Sequence, residues 1–274
     1  MSHRAEIARH GFRLLALLLL SAVALQLVFA LRIGLMRLID PASTTFQRSE
    51  AWRLLVQKQR IPWSQQWVGA ERISPHLMRA VIASEDAGFF DHSGFEWLAI
   101  EGAWARNRKA EQRAEKRAEK SAEANARQAA RQSAGTAKGI AAPPPVAPPL
   151  TKLVGGSTIT QQLAKNLFLS GERTAARKAQ ELLLALMLEA LLPKSRLLEI
   201  YLNSVEWGEG VFGAQAAARH YFHVDASRLG AEQAARLAVM LPAPKRFERQ
   251  PGSAYVASRA GAILSRMAAV EIPK

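Results

Sequence analysis

Residues 174–193 have the sequence TAARKAQELLLALMLEALLP, which decides the fold class because it predicts one long, very apolar helix. Pro193 ends this helix, since proline lacks the backbone N–H that a helix interior needs. Arg177, Lys178 and Glu181 stand on it, and the i, i+4 spacing places Arg177 and Glu181 on one face. Charges on a buried helix must face a cleft or a partner, because an unpaired buried charge is costly. The alternative is an ordinary exposed ion pair, which stabilises a helix by only about 0.3 kcal/mol.

Other helical patterns extend the mainly α prediction along the chain. Ser74 and Pro75 predict a helix start, with serine as the N-cap and proline in the first turn. Alanine-rich and leucine-rich segments further on have helical periodicity, and no convincing strand pair is visible. The additional helices are predicted at 197–202, at 214–222 and across 226–270, where prolines interrupt them.

Residues 208–213 match the GxGxxG pattern of dinucleotide sites but are interpreted as a glycine-rich turn. No strand and no βαβ unit is predicted before them, and the pattern needs that context. His220 and His223 share one helical face without a further set of ligands. They are therefore interpreted as structural residues rather than as a metal site.

The N-terminal region contains an uncharged apolar run, LLALLLLSAVALQLVFAL, at 14–31. As a helix it is long enough to cross a hydrocarbon core of about 30 Å. We therefore predict a short cytoplasmic segment at 1–13 and a transmembrane anchor at 14–35. Arginines are denser before the run than after it, which favours a cytoplasmic N-terminus. The alternatives are a cleaved signal peptide, for which the run is long, and a buried core helix, which would not have leucine on every face.

The composition favours anionic partners. The 274 residues include 37 Lys+Arg against 23 Asp+Glu, which gives a formal net charge of +14. Such a surplus suits nucleic acid, phospholipid head groups or a phosphorylated substrate. The length allows one sizeable globular domain with appendages. There is no cysteine, which excludes disulfide bonds and thiolate sites.

Residues 106–150 differ in character from the rest of the chain. Alanine and glutamate recur every four residues, which gives high helix propensity without an apolar stripe, and PPPVAPP follows at 143–149. Ten Lys+Arg and four Glu at 102–150 give this region a net charge of +6. The simpler interpretation is a solvated helix with an extended linker. The alternative is a basic arm that touches anionic lipid or glycan phosphate.

A first candidate site is the run EDAGFFDHSG at 85–94. Glu85 falls near the point where its predicted helix gives way to a loop. Phe89 and His92 bring apolar and imidazole groups close, and desolvation by such groups can raise a carboxyl pKa toward that of a general base. The alternative is a solvated acidic pair formed by Glu85 and Asp86.

A second candidate site is the run GGSTITQQ at 155–162. It predicts a turn that feeds a helix N-terminus, where free backbone N–H groups bind anions. Thr158, Gln162 and Lys165 then share one face of the helix. The pattern is consistent with an anion or sugar-hydroxyl site and equally with a helix cap followed by a solvated face.

These runs, in this order, resemble the peptidoglycan glycosyltransferases of glycosyltransferase family 51, and look most like the monofunctional biosynthetic peptidoglycan transglycosylases. The resemblance spans residues 61–267 and includes five motifs in register. No Ser-x-x-Lys nucleophile motif occurs, so the resemblance implies no transpeptidase activity. The five motifs are EDAGFFDHSG, GGSTITQQLAKNLFL, RKAQE, KSRLLEIYLNSVEWG and GVFGAQAAARHYF.

The resemblance implies a mainly α, lysozyme-like glycosyltransferase domain at 46–272 with a small membrane-facing jaw, preceded by the transmembrane helix and containing 106–150 as an insertion. The implied substrate is lipid II, a disaccharide-pentapeptide on undecaprenyl pyrophosphate. The growing lipid-linked glycan chain is transferred to the GlcNAc 4-hydroxyl of lipid II. This reaction forms a β-1,4 bond with inversion and releases undecaprenyl pyrophosphate.

The resemblance also implies roles for individual residues. Glu85 is implied as the general base, and Glu181 as a second carboxylate that helps to place the substrate or a divalent ion. The surroundings of Glu85 are implied to be shaped by Asp86, Phe89 and His92. The residues implied to contact sugar or phosphate are Ser157, Thr158, Gln162, Asn166, Lys165, Arg177 and Lys178, of which the last three hold the pyrophosphate.

No prosthetic group is implied, and a Mg²⁺ or Mn²⁺ ion near Glu181 is left open. The implied partners are lipid II, the growing glycan chain, membrane lipid and proteins of cell-wall synthesis or division, without nucleic acid. The implied location is the bacterial inner membrane, single-pass, with the catalytic domain in the periplasm.

Two alternatives to synthesis belong to different functional classes. One is a lytic transglycosylase or lysozyme-like enzyme that cleaves glycan, and the other is a non-catalytic cell-wall scaffold. The basic RKxxE cluster suits a pyrophosphate leaving group and has no use in cleaving a neutral glycosidic bond. The presence of Glu85, Lys165, Arg177 and Glu181 argues against a scaffold.

Overall fold

Helices dominate the structure, a computed structural model that describes residues 3–94, 157–172 and 174–273, with side chains from residue 9 onward. The mainly α prediction is confirmed, and the arrangement is consistent with a lysozyme-like transglycosylase domain. The predicted insertion at 106–150 and the glycines at 155–156 lie outside the described residues. The helices are α1 (His3–Leu35), α2 (Thr45–Lys58), α3 (Pro75–Glu85), α4 (Ile159–Phe168), α5 (Ala175–Leu191), α6 (Lys194–Ser204), α7 (Ala214–Phe222), α8 (Ala231–Met240), α9 (Pro244–Phe247) and α10 (Ala254–Met267).

Side-chain caps explain where several helices begin. The hydroxyl of Ser74 accepts a hydrogen bond from the backbone N–H of His76 at 3.3 Å, and Pro75 is the first residue of α3, as predicted. Thr44 and Gln47 form a reciprocal capping box at the start of α2. Such a cap stabilises a helix by about 1 kcal/mol.

A small sheet is present although the sequence predicts no convincing strand pair, so that prediction is wrong. The strands are two or three residues long, too short to show the alternation that a sequence pattern needs. Gly210 closes a hairpin at φ +74°, and a Cβ there would lie 1.9 Å from the carbonyl oxygen of Pro62. The strands are β1 (Ser64–Gln65), β2 (Glu206–Gly208) and β3 (Val211–Phe212). β3 pairs in parallel with β1 and antiparallel with β2.

Two groups of helices form the core. Helix α3 packs against α8 and α10, and α4 packs against α2, α5 and α6. Hydrogen bonds between the end of α3 and the start of α4 join the groups. The largest fully buried side chains include Trp207, Tyr201, Phe89 and Phe212. Burying one large apolar side chain contributes about 1.5–3 kcal/mol, so this core fixes the relative positions of α3, α4 and α5.

Helix α1 contains the predicted anchor. Its segment Arg9–Leu35 is long and apolar enough to cross a membrane, with a mean hydropathy of 2.7. The leucines at 14–20 are 55–66% exposed, as side chains that face lipid must be. By length and composition, this helix suggests a single-pass membrane anchor.

The C-terminal part of α1 packs against the globular domain. Ile33 on the helix and Met36 directly after it are buried in the core. The ring of Phe29 meets that of Phe168 edge-on at 5.4 Å, and the guanidinium of Arg32 lies 5.3 Å from the Phe168 ring centroid. The anchor is therefore part of the packed structure.

Candidate active site

Glu85 is the last residue of α3 and lies half-buried beside α4. Its Oε2 accepts a hydrogen bond from the side-chain amide of Gln162 at 2.9 Å, and its Oε1 accepts one from the hydroxyl of Ser84 at 3.3 Å. Burial raises the pKa of Glu85 and the nearby charge of Asp86 raises it further, while the two hydrogen bonds oppose the shift. A partly buried carboxyl with a raised pKa has the properties of a general base.

Asp86 connects the loop after α3 to the start of α4. The residue is 5% exposed. Its Oδ1 lies 2.7 Å from Nε2 of His92, and its Oδ2 accepts a hydrogen bond from the backbone N–H of Ile159 at 3.0 Å. The backbone N–H of Gly94 donates to Nδ1 of His92 at 3.1 Å. Because Nδ1 then accepts, Nε2 carries the proton that bonds Asp86. Asp86 and His92 thus hold the loop that follows Glu85.

Thr158 is the N-cap of α4, as the cap interpretation of this segment expects. Its hydroxyl accepts from the backbone N–H of Gln161 at 3.2 Å and donates to the carbonyl of Gly94 at 2.8 Å. The residue is 4% exposed, so its hydroxyl is engaged within the protein, whereas Ser157 beside it is half-buried. A ligand contact of Ser157 or Thr158 stays a prediction.

Glu181 gathers a cluster of cations on α5. It is 4% exposed, accepts a hydrogen bond from Arg177 Nη1 at 3.1 Å, and also accepts one from Lys178. The predicted shared face of Arg177 and Glu181 is confirmed. The Nε of Arg177 is buried and has no hydrogen-bond partner among the described residues.

Lys165 adds a third cation to this cluster from α4. Loss of hydration lowers the pKa of Lys165, Glu181 raises it, and the positive charges of Arg177 and Lys178 lower it further. Lys165 follows Gln162 by three residues on the same helix, and side chains at this spacing are neighbours. Helix α4 therefore places the base and the cation cluster side by side.

Two further predicted residues, Phe89 and Asn166, lie close to these groups. Phe89 is completely buried and packs against Phe90, with ring centroids 5.1 Å apart, so it supports the site from inside. Lys194 lies 4.5 Å above the Phe89 ring. Asn166 is half-buried, one position beyond Lys165. The role of Phe89 in shaping the surroundings of Glu85 and a ligand contact of Asn166 stay predictions.

Two residues near Glu85 escaped the sequence analysis. Ser84 contacts the carboxylate, and Tyr201 donates its hydroxyl hydrogen to Gln162 Oε1 at 2.9 Å. Tyr201 lies on α6 inside an otherwise apolar pattern, which predicts core packing. Its polar contact spans 39 residues of sequence, so no local signal reveals it.

The donor set around Glu181 does not fit a metal held by protein side chains. Both carboxylate oxygens are bonded to cations, and no group of three or more His, Asp or Glu suited to a metal occurs within the described ranges. A divalent ion normally needs several oxygen ligands. We therefore derive no step through a metal.

Sequence comparison relates this arrangement to known proteins. A family described as Transglycosylase matches residues 55–116 and 150–268. A biosynthetic peptidoglycan transglycosylase of Burkholderia pseudomallei is 47% identical over 251 residues, covering 92% of this chain and 83% of that protein. A Bordetella pertussis protein of the same name is 46% identical over 234 residues, covering 85% and 82%. One from Burkholderia ambifaria is 45% identical over 252 residues, covering 92% and 87%.

The chain belongs to the transglycosylase family. The resemblance drawn from the five motifs is thereby confirmed. The family match passes over residues 117–149, which fall within the segment predicted as an insertion.

Proposed function

We propose that this protein polymerises peptidoglycan glycan strands by transferring the growing lipid-linked chain to the 4-hydroxyl of lipid II. The observation that carries the proposal is the placement of Gln162 and Lys165 one turn apart on α4. Gln162 contacts a carboxylate suited to general base catalysis, and Lys165 extends a cation cluster suited to a pyrophosphate. Relatives named biosynthetic peptidoglycan transglycosylases support this substrate class.

Glu85 acts as the general base in this reaction. It takes the proton of the acceptor 4-hydroxyl as that oxygen attacks the anomeric carbon of the lipid-linked sugar. The bond from this carbon to the pyrophosphate oxygen breaks, and its electron pair leaves with undecaprenyl pyrophosphate. A single displacement inverts the anomeric centre and gives the β-1,4 bond. Glu85 then passes the proton to water.

The cation cluster stabilises the leaving group. Negative charge builds on the pyrophosphate as the bond breaks, and Arg177, Lys178 and Lys165 lie together to receive it. Glu181 pairs with the first two and keeps them in place on α5.

The position of α5 beside the anchor suits a lipid-linked substrate. Gln180 contacts Gln26, which precedes Arg32 by six residues on α1. Six helical residues correspond to about 9 Å along the helix axis. The contact with α5 therefore lies about 9 Å inside the apolar span, measured from Arg32, the first charged residue after that span. The exposed leucines of α5 face outward in this region and are suited to the acyl boundary. They are Leu182, Leu183, Leu186 and Leu191, at 37–45% exposure.

The proposed location rests on the charges that flank the apolar run. The arginines that precede the apolar run keep the N-terminus in the cytoplasm, and α1 then crosses the inner membrane once. The catalytic domain lies in the periplasm, where it meets the polar part of lipid II at the membrane surface.

Cleavage of glycan is the alternative with the same fold class. A hydrolase or lytic enzyme needs one acid and one base or nucleophile around a neutral glycosidic bond. In this site the second carboxylate, Glu181, is bonded to two cations and is not free for that role. Its cation cluster instead suits a phosphorylated leaving group, so synthesis is the better interpretation.

The direct test is polymerisation of purified lipid II by the full-length protein in detergent, beside Glu85→Gln. We expect long glycan strands from the wild type and a loss of at least about 100-fold in the variant, because general base catalysis contributes about 10²–10⁴-fold. Glu71→Gln is the matched control, since the Glu71 side chain is 75% exposed. Intact lipid II together with cleavage of preformed glycan would establish the lytic alternative. Full activity of Glu85→Gln would remove Glu85 as the base.

A further inference from the structure

Tyr201 determines how the Gln162 side chain can face Glu85. Tyr201 is fully buried on α6, and its hydroxyl donates to Oε1 of Gln162 at 2.9 Å. The opposite end of the same amide, Nε2, donates to Oε2 of Glu85 at 2.9 Å. An amide accepts only at its oxygen and donates only at its nitrogen. A phenol O–H at the oxygen end therefore leaves the N–H end for the carboxylate.

We infer that Tyr201 is a positioning residue: it holds the Gln162 amide in the orientation that presents an N–H to Glu85, and thereby keeps the base ionised and aimed. Its effect on catalysis rests on the proposed function. The effect of Tyr201 on the hydrogen bond from Gln162 to Glu85 can be measured without following the reaction.

The surroundings of Tyr201 suit this role. Burial, with the nearby charges of Glu85 and Asp86, raises the pKa of Tyr201 well above its ordinary value of 10. The phenol therefore stays protonated and remains a donor in the working pH range. Its ring packs in the core between helices, so the direction of the O–H group is set by tertiary packing. A buried donor of this kind is expensive to leave unmatched, which favours one amide orientation.

The expected consequence is a change in the titration of Glu85. Hydrogen bonds from Gln162 and Ser84 favour the charged form of Glu85, while burial and Asp86 favour the neutral form. Without the phenol O–H, the Gln162 amide can rotate and present its oxygen to the carboxylate. The pKa of Glu85 should then rise.

The test is Tyr201→Phe in the full-length protein in detergent, which removes one oxygen and keeps the buried ring. The readout is the pH titration of the Glu85 side-chain carboxyl by ¹³C NMR, with Glu85→Gln identifying the resonance. We expect the midpoint to move up by about one pH unit. We also expect the acidic limb of kcat/KM for lipid II to move by the same amount, which is about tenfold in rate below the midpoint, while KM changes little.

Tyr221→Phe is the matched control. Tyr221 donates its hydroxyl to the carbonyl of Trp207 at 2.8 Å, away from Glu85, so its loss should leave the Glu85 titration unchanged. Gln162→Ala should shift the titration in the same direction as Tyr201→Phe. The double variant should shift it no further than Gln162→Ala alone, because both changes remove one interaction.

Each outcome decides between separate claims. A Glu85 titration that is the same in Tyr201→Phe and the wild type would overturn the positioning role, even if the melting temperature falls. A shifted titration in a protein that does not polymerise lipid II would uphold the positioning role and reject the proposed function.

Discussion

Gln26 of α1 and Gln180 of α5 exchange two side-chain amide hydrogen bonds, at 3.0 and 3.1 Å. A glutamine within an apolar span is costly unless its amide is paired, and a reciprocal pair satisfies one donor and one acceptor on each side. Gln180 directly precedes Glu181. The pair therefore links the membrane anchor to the helix that carries the cation cluster.

The first prediction concerns this link. Gln26→Leu should destabilise the protein by about 1 kcal/mol, because an amide pair in an apolar environment contributes about 0.6–2 kcal/mol. We expect a lower melting temperature in detergent and a several-fold loss of lipid II polymerisation in vesicles. Adding Gln180→Leu should recover part of the stability, since no unpaired amide then remains.

The control for the anchor is Ser21→Leu, which replaces an exposed polar residue of the same helix. It should behave as the wild type. If Gln26→Leu and Ser21→Leu have the same melting temperature and the same activity, the amide pair does not couple the anchor to the site.

The second prediction concerns the cation cluster. Arg177→Ala removes a side chain that is 18% exposed and bonded to Glu181 at 3.1 Å. A hydrogen bond to a charged group contributes about 1.5–3 kcal/mol, so kcat/KM for lipid II should fall by about 10- to 100-fold. Initial rates at several lipid II concentrations would measure this fall in kcat/KM. Arg219→Ala is the control, because its pair with Asp225 has both side chains more than half exposed. Equal kinetics in the two variants would argue against pyrophosphate binding by Arg177.

The third prediction is the pH dependence of turnover. A general base works in its ionised form, so the rate falls as the pH drops through its pKa. Burial raises the pKa of Glu85 above 4.5, and the acidic limb of kcat/KM should therefore have its midpoint above that value. Rates of lipid II polymerisation across the acidic range would locate it. A midpoint at or below 4.5 in the wild type would contradict the raised pKa.

The fourth prediction concerns stability and a buried carboxyl away from the site. Glu206 on β2 is 6% exposed, and burial raises its pKa to about 7 from 4.5, against the opposing charge of Lys245. Between these two values the folded state binds a proton that the unfolded state has lost. Stability therefore falls as the pH rises through this window. The cost is complete above about pH 7, where the folded carboxyl is also ionised.

Glu206→Gln should remove this loss of folding stability with rising pH. We expect the variant to be more stable than the wild type at about pH 8 by up to about 3 kcal/mol, and to show a smaller difference at about pH 5. Urea unfolding in detergent at both pH values would measure it. Glu209→Gln is the control with the opposite expected sign. Hydrogen bonds from Lys58 and Arg53 lower the pKa of Glu209, so weakening them should destabilise the folded protein at pH 8. A wild type whose stability does not change between pH 5 and pH 8 would contradict the buried-carboxyl account.

Features that depend on neighbours in sequence could be predicted. The apolar span, the helix start at Ser74 and the shared face of Arg177 and Glu181 are set by interactions within four residues or by composition alone. The order of five motifs is also enough to identify the family. Glu85 and Glu181 followed from those motifs.

The tertiary structure decided what depends on distant contacts. The bond from Asp86 to the N–H of Ile159 joins residues 73 apart, and the one from Tyr201 to Gln162 joins residues 39 apart. The pairing of Ser64 with Val211 likewise has no local signal, because strands of two residues show no alternation. The sequence by itself predicted most of the helices, the apolar span and the chemical groups of the site, but not α2 at Thr45–Lys58. Only packing of α3, α4, α5 and α6 determined which groups touch, since such contacts depend on how helices distant in sequence meet.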